Sequence, residues 1–274
     1  MEKLDIGVLV SLTNDPERGI RKVSDLGLQS CQVCTWNLDL CTDEVGEALT
    51  AARRKHGVKV STFWAGYSGP AKWNFIEGPL TIGLVPEQYR AVRVAEQKRA
   101  ATWAAQFGLD SITTHVGFLP EDPNDPLYVG AVEALKDIVA HCRELGIQYR
   151  FETGQETPVT LLRTIERIGM DNVGINFDTA NVILYGKANP VDALDVFGRY
   201  VVDLHVKDGF YPTSGDRLGR QVPLGQGKVD FAAVVNKLKA LGYRGPLTLE
   251  RECGDAASEI ADLKACIALL EPLR

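Results

Sequence analysis

The feature that most constrains this chain is a repeated order of elements. Eight short apolar runs alternate with longer amphipathic stretches along 274 residues. The runs lie at 4–10 (LDIGVLV), 29–34 (QSCQVC), 58–64 (VKVSTFW), 110–116 (DSITTHV), 147–152 (IQYRFE), 173–178 (VGINFD), 201–206 (VVDLHV) and 246–251 (PLTLER). They are rich in Val, Ile, Leu, Thr and aromatics, as strands buried on both faces are. Between them, residues 44–55, 87–107, 127–145 and 231–241 carry helical patterns, followed by Gly57, Gly108, Gly146 and Gly242. A glycine just past a periodic segment is a helix stop. Helix, glycine, strand, repeated, predicts β/α units on a parallel sheet.

Eight units in 274 residues come to about 34 residues each, the size of a (β/α)8 barrel. We therefore expect an α/β chain forming one barrel domain over residues 1–274. A doubly wound open sheet would usually carry a Gly-rich phosphate turn after its first strand. This chain has Ser11-Leu-Thr-Asn-Asp-Pro16 there instead. Two connections are unusually long, 65–86 and 208–229. Both leave the carboxyl ends of strands, the face that carries barrel active sites, and are candidates for a wall or lid.

Charge narrows the partners. Thirty Lys and Arg against 36 Asp and Glu leave a net charge of −6, which argues against nucleic acid. Cys31 and Cys34 have CxxC spacing, but no second pair stands near to close a zinc site, so the six cysteines read as reduced structural thiols. The first apolar run is too short for a signal peptide, and no stretch of about 20 apolar residues occurs. We expect a cytoplasmic protein with no membrane partner.

The strand ends carry the chemistry. The fifth run ends in Phe151-Glu152-Thr153, the sixth in Phe177-Asp178-Thr179-Ala180-Asn181 and the eighth in Leu249-Glu250-Arg251; the seventh carries Leu204-His205-Val206-Lys207-Asp208. Barrel closure would gather these ends around one axis, and period-2 alternation would aim Glu250 and His205 into the mouth. Three carboxylates and one imidazole make a hard, oxygen-rich site suited to Mn²⁺, Mg²⁺ or Co²⁺. A set of salt-bridged groups lining a polar mouth is the competing reading.

These residues resemble a known family. The glutamate of FET, the aspartate of FDTAN, the histidine of LHVKD and the glutamate of LTLERE, together with PLGQGKVDF at 223–231, are similar to the xylose isomerase-like TIM-barrel superfamily. That superfamily includes sugar isomerases, ketose 3-epimerases and inosose dehydratases. The resemblance implies that Glu152, Asp178, His205 and Glu250 bind one metal ion. We expect a divalent ion, Mn²⁺ first, with Mg²⁺, Co²⁺ or Zn²⁺ as alternatives. It implies that Glu152 and Glu250 double as the catalytic pair on opposite faces of a carbohydrate. It also implies a homo-oligomer paired through the loops over the site. Asn181 stands where some relatives place histidine.

The chemistry such a site supports is definite. A sugar carbonyl and its neighbouring hydroxyl can chelate a metal, which stabilises the enediolate left when the α-proton departs. One carboxylate takes that proton and a second can return it on the other face. A leaving group β to the carbonyl would make the same chemistry a lyase or dehydratase. His115, at the end of the fourth run, is a candidate for substrate or proton transfer. Lys207 could neutralise a developing oxyanion or bind a phosphate, or form a salt bridge with Asp178 or Glu252.

Other candidates are weaker. Trp36, Trp64, Tyr67 and Trp73 could stack on sugar C–H faces or simply pack. Gly225 and Gly227 could cradle a phosphate, although a plain turn is favoured. Arg217 and Arg220 read as solvated, and His56 and His141 as helix-surface residues. We expect a metal-dependent sugar isomerase or epimerase acting on a ketose or related keto-sugar. The alternative is a dehydratase or lyase acting on a keto-inositol or keto-glycoside. A DNA-repair endonuclease of the superfamily would need a histidine-rich zinc cluster, and this acidic chain has four His. A barrel that only binds sugar would be expected to lack a ligand, and none is missing.

Overall fold

The computed structural model describes residues 3–251 and 258–274. Its elements run β1 (Ile6–Ser11), α1 (Pro16–Asp25), β2 (Ser30–Thr35), α2 (Asp43–His56), β3 (Lys59–Ala65), α3 (Gly78–Thr81), α4 (Glu87–Gln106) and β4 (Ser111–His115). There follow α5 (Pro126–Glu144), β5 (Gln148–Glu152), α6 (Pro158–Ile168), β6 (Val173–Asp178), α7 (Asn181–Leu184), α8 (Pro190–Phe197) and β7 (Val201–Val206). The chain then forms β8 (Asp208–Phe210), β9 (Arg220–Val222), α9 (Phe231–Ala240), β10 (Leu247–Leu249) and α10 (Glu259–Leu270). Eight parallel strands close in the order β1-β10-β7-β6-β5-β4-β3-β2. This is the (β/α)8 barrel, and all eight apolar runs became its staves.

Local chemistry explains the helix boundaries. Thr42 caps α2 by accepting from Val45 N, Asp125 caps α5 from Leu127 N, and Asp230 caps α9 from Ala233 N. Gly57, Gly108, Gly146 and Gly242 all adopt positive φ, from 65° to 83°, the left-handed conformation that closes a helix at little cost for glycine. The two long connections lie where expected. The first contains α3, and the second folds β8 onto β9 as an antiparallel hairpin. Among the described residues no helix is long and apolar enough to cross a membrane.

The apolar core lies between the strands and the helices, where Phe63, Ile112, Tyr149, Phe151 and Phe177 are almost wholly buried. The barrel interior is different. It holds polar side chains, and several of these pair with one another, because an unpaired buried polar group is costly. Thr62 and Thr113 hydroxyls lie 2.9 Å apart, and Ser111 Oγ donates to Thr62 Oγ1 at 2.8 Å. Arg150 Nη1 donates to Asp203 Oδ2 at 2.9 Å.

Candidate active site

Strand register decides which side chains meet. His115 stands beside Glu152, Asp178 beside His205, and Thr248 beside His205. Side chains two apart along a strand share a face, so Glu250 follows Thr248 into the mouth. Glu152, Asp178, His205 and Glu250 each offer a ligand atom within 4.8 Å of the others. All four are buried. His205 Nδ1 lies 3.0 Å from Glu250 Oε2, 3.1 Å from Glu152 Oε1 and 4.0 Å from Asp178 Oδ2.

Lys207 Nζ reaches Glu250 Oε2 at 3.4 Å and Asp178 Oδ2 at 3.6 Å. Its suggested partner Glu252, like Cys253, lies outside the described residues. His115 Nε2 is 3.7 Å from Glu152 Oε1, while Gln155 Nε2 approaches its Nδ1 at 3.4 Å. Asp178 Oδ1 accepts from Ala180 N and Asn181 N at 2.8 and 2.7 Å, anchoring α7. Asn181 Nδ2 also donates to Glu152 Oε1 at 3.5 Å.

So dense a charge set perturbs its own titration. Burial alone would lower the His205 pKa, but the carboxylates of Glu250 and Glu152 override it and hold the ring well above the ordinary range. Burial pushes Asp178 well above the usual carboxylate range, and Glu250 and Glu152 add to that. Burial also opposes ionisation of Glu250, yet Lys207 and His205 hold it well below its ordinary value. Glu152 is lowered against the same desolvation by His115 and His205.

These residues fit a hard divalent cation. The donor set is three carboxylates and one imidazole nitrogen, and Asp178 Oδ2 is buried with no hydrogen-bond donor. A cation among them would offset the buried charges of Glu152 and Glu250 and favour the ionised form of Asp178, which burial otherwise opposes.

A cavity of about 410 Å³ opens above this group, within the range of small-molecule sites. Aromatic rings wall one side of it. Trp64 and Trp73 pack against His115, with centroids 5.8 and 5.3 Å apart, and Trp36 lies 4.9 Å from Trp64. Trp36 and Trp73 remain 46% and 43% exposed at the rim. The Trp64 indole N–H donates to Glu152 Oε2.

The connection that carries Trp73 is held by Arg93 of α4. This fully buried guanidinium donates to the carbonyls of Ser68, Pro70, Thr81 and Gly83. It also lies over the rings of Tyr67 and Tyr89, at 4.2 and 4.6 Å.

Comparison with known proteins places the chain. Residues 20–271 match the family model described as xylose isomerase-like TIM barrel. The chain belongs to that family. A xylose isomerase domain protein from Planctomyces limnophilus is 36% identical, with a TM-score of 0.92 over 100% of this chain and 98% of that one. A D-psicose 3-epimerase, solved in the presence of D-fructose, is 18% identical with a TM-score of 0.73, covering 98% of this chain and 99% of its own. The uncharacterized protein MJ1311 of Methanocaldococcus jannaschii is 25% identical over 179 residues, 61% of this chain. The chain spans 59% of the length of that curated relative.

Within this xylose isomerase-like barrel, several sequence candidates have other duties. The backbone N–H groups of Gly225, Gly227 and Val229 do not form an open phosphate cradle. They donate to the Asp208 carboxylate at 3.0, 2.8 and 3.1 Å. A Cβ on Gly227 would sit 2.1 Å from Asp208 Oδ1, so this turn requires glycine. Arg217 and Arg220 are exposed. His56 pairs with Glu17 and His141 with Thr102, away from the site. Cys31 and Cys34 are free thiols, and burial pushes them up to about 12 and about 11.

The sequence reading did not single out Gln32 or Asn176. Each is a polar residue inside a run otherwise read as a buried strand, which is the signal that marks barrel-facing positions.

Proposed function

We propose that this barrel is a divalent-metal-dependent isomerase or epimerase of a keto-sugar, with Glu152 and Glu250 as its acid–base pair. The observation that carries the reading is the convergence of these two carboxylates. They come from different staves, β5 and the end of β10, face His205 Nδ1 at 3.1 and 3.0 Å, and both line the cavity. Two carboxylates that converge on one point can divide the work, one removing a proton from a carbon beside a carbonyl and the other returning one.

Glu152, Asp178, His205 and Glu250 would hold the ion, for which Mn²⁺ is our expectation. When bound, it supplies Lewis acidity to a carbonyl and an adjacent hydroxyl. Trp64 holds Glu152 Oε2 in place, so Oε1 is the oxygen presented to the site. His115 and Lys207 stand against Glu152 and Glu250 and are placed to move a proton or to balance charge on a substrate oxygen. The indoles of Trp36 and Trp73 offer apolar faces to sugar C–H groups. The D-psicose 3-epimerase shares the fold, which supports a carbohydrate substrate.

The test is proton NMR in D₂O of Mn²⁺-loaded protein with free ketoses, ketose phosphates and keto-inositols. We expect deuterium to enter beside a carbonyl with a new epimer or isomer. Glu152→Gln should slow exchange by roughly 10²–10⁴-fold. Loss of water or an aglycone would reassign the protein as a lyase. Exchange in no member of the panel would overturn the reading.

A further inference from the structure

We infer that Gln32 is a positioning residue that determines which ring nitrogen of His205 is offered to the metal. The inference rests on the metal reading above. Gln32 lies in the middle of β2, fully buried, four staves around the barrel from β6 in either direction. Its Oε1 is 2.7 Å from His205 Nε2, and its Nε2 donates to Asn176 Oδ1 at 2.9 Å.

The polarity follows from the amide. An amide oxygen can only accept, so His205 Nε2 carries the proton and donates it. When a cation takes the place of the second ring proton, the lone pair is therefore on Nδ1, the nitrogen that faces Glu152 and Glu250. Asn176 in turn orients the glutamine amide, and it sits two residues before Asp178 on the same face of β6. One chain of hydrogen bonds thus connects β2, β6 and β7 beneath the site. A neutral acceptor at this point directs the tautomer without adding a fourth carboxylate to a buried set of three.

The conventional partner behind a metal-bound histidine is a carboxylate or a carbonyl, and removing it costs about 10–100-fold in metal affinity. Titration of metal-free wild type, Gln32→Met and Gln32→Glu with Mn²⁺ by calorimetry tests the role. Methionine keeps the bulk and removes the acceptor, so Q32M should weaken binding by about 10–100-fold. Glutamate keeps the acceptor, so Q32E should bind Mn²⁺ close to wild type.

A second readout is ¹⁵N NMR of the histidine rings in Mg²⁺-loaded protein. Wild type should show His205 protonated at Nε2 and unprotonated at Nδ1, and Q32M should lose that uniform tautomer. Q32M that binds as tightly as wild type, with the same tautomer, would overturn the inference while leaving the metal reading intact. A wild type that binds no divalent ion would overturn both.

Discussion

Trp64 donates its indole N–H to Glu152 Oε2, and this leaves Glu152 Oε1 to face His205 Nδ1 at 3.1 Å. Trp64 lies on β3 and Glu152 on β5, so the bond crosses the intervening stave β4. Replacing Trp64 by Phe keeps an aromatic ring and removes the donor. Glu152 Oε2 would then be buried without a partner, at a cost of about 1–3 kcal/mol. Urea denaturation of the metal-free W64F protein should show that loss, and a midpoint equal to wild type would refute it.

Asp208 organises the segment after β8 and β9. Its carboxylate accepts from Gly209, Gly225, Gly227 and Val229 N–H groups at 2.8–3.1 Å. Asp208→Asn exchanges one acceptor oxygen for a donor that faces other donors. We expect a loss of about 2–3 kcal/mol. Hydrogen exchange by mass spectrometry should show residues 223–229 losing protection, with the barrel staves changing least.

Arg93 sets the position of the Trp73 connection. Four carbonyls and two ring faces satisfy its guanidinium. Lysine has a compact head with three donors and cannot reproduce the planar fork. Arg93→Lys should lower the melting temperature and red-shift tryptophan emission as the rim indoles gain water. Arg93→Met, which leaves the carbonyls without donors, should cost about 3 kcal/mol or more.

Glu156 makes stability depend on pH. Burial pushes its carboxyl up to about 7, against backbone N–H groups of Glu156 and Gly154 and the charge of Lys187, and its Oε2 has no hydrogen-bond partner. Between roughly pH 4.5 and 7 the folded protein keeps a proton that the unfolded chain has lost. The native state therefore binds more protons, and its stability falls as pH rises through that window. The full loss, about 3 kcal/mol, is reached above pH 7. Denaturation of wild type and Glu156→Gln at pH 5, 6, 7 and 8 should show a slope in wild type that the variant lacks. Parallel profiles would refute it.

The barrel was legible because its determinants are local. Strand runs such as VGINFD, and glycines such as Gly57 and Gly146 after helical patterns, express backbone preferences and two-sided burial within a few residues. The clustering of Glu152, Asp178, His205 and Glu250 was also legible, because barrel topology brings neighbouring strand ends together whatever the loops do. The reading of Gly225 and Gly227 was harder. Their N–H groups could serve a phosphate or a carboxylate, and only the approach of Asp208, 17 and 19 residues earlier, decides the matter.

By itself the sequence determined the succession of the staves, the ends of the four helices α2, α4, α5 and α9, and the acid–imidazole set at the mouth, since each depends on residue type and spacing. The tertiary structure decided which atom of each group is free. Gln32 meets His205 across 173 residues, Trp64 meets Glu152 across 88, and Arg93 gathers carbonyls from a connection that has no regular pattern. Such pairings depend on strand register and on closure of the barrel. Those are set by the packing of the whole sheet, and no single segment encodes them.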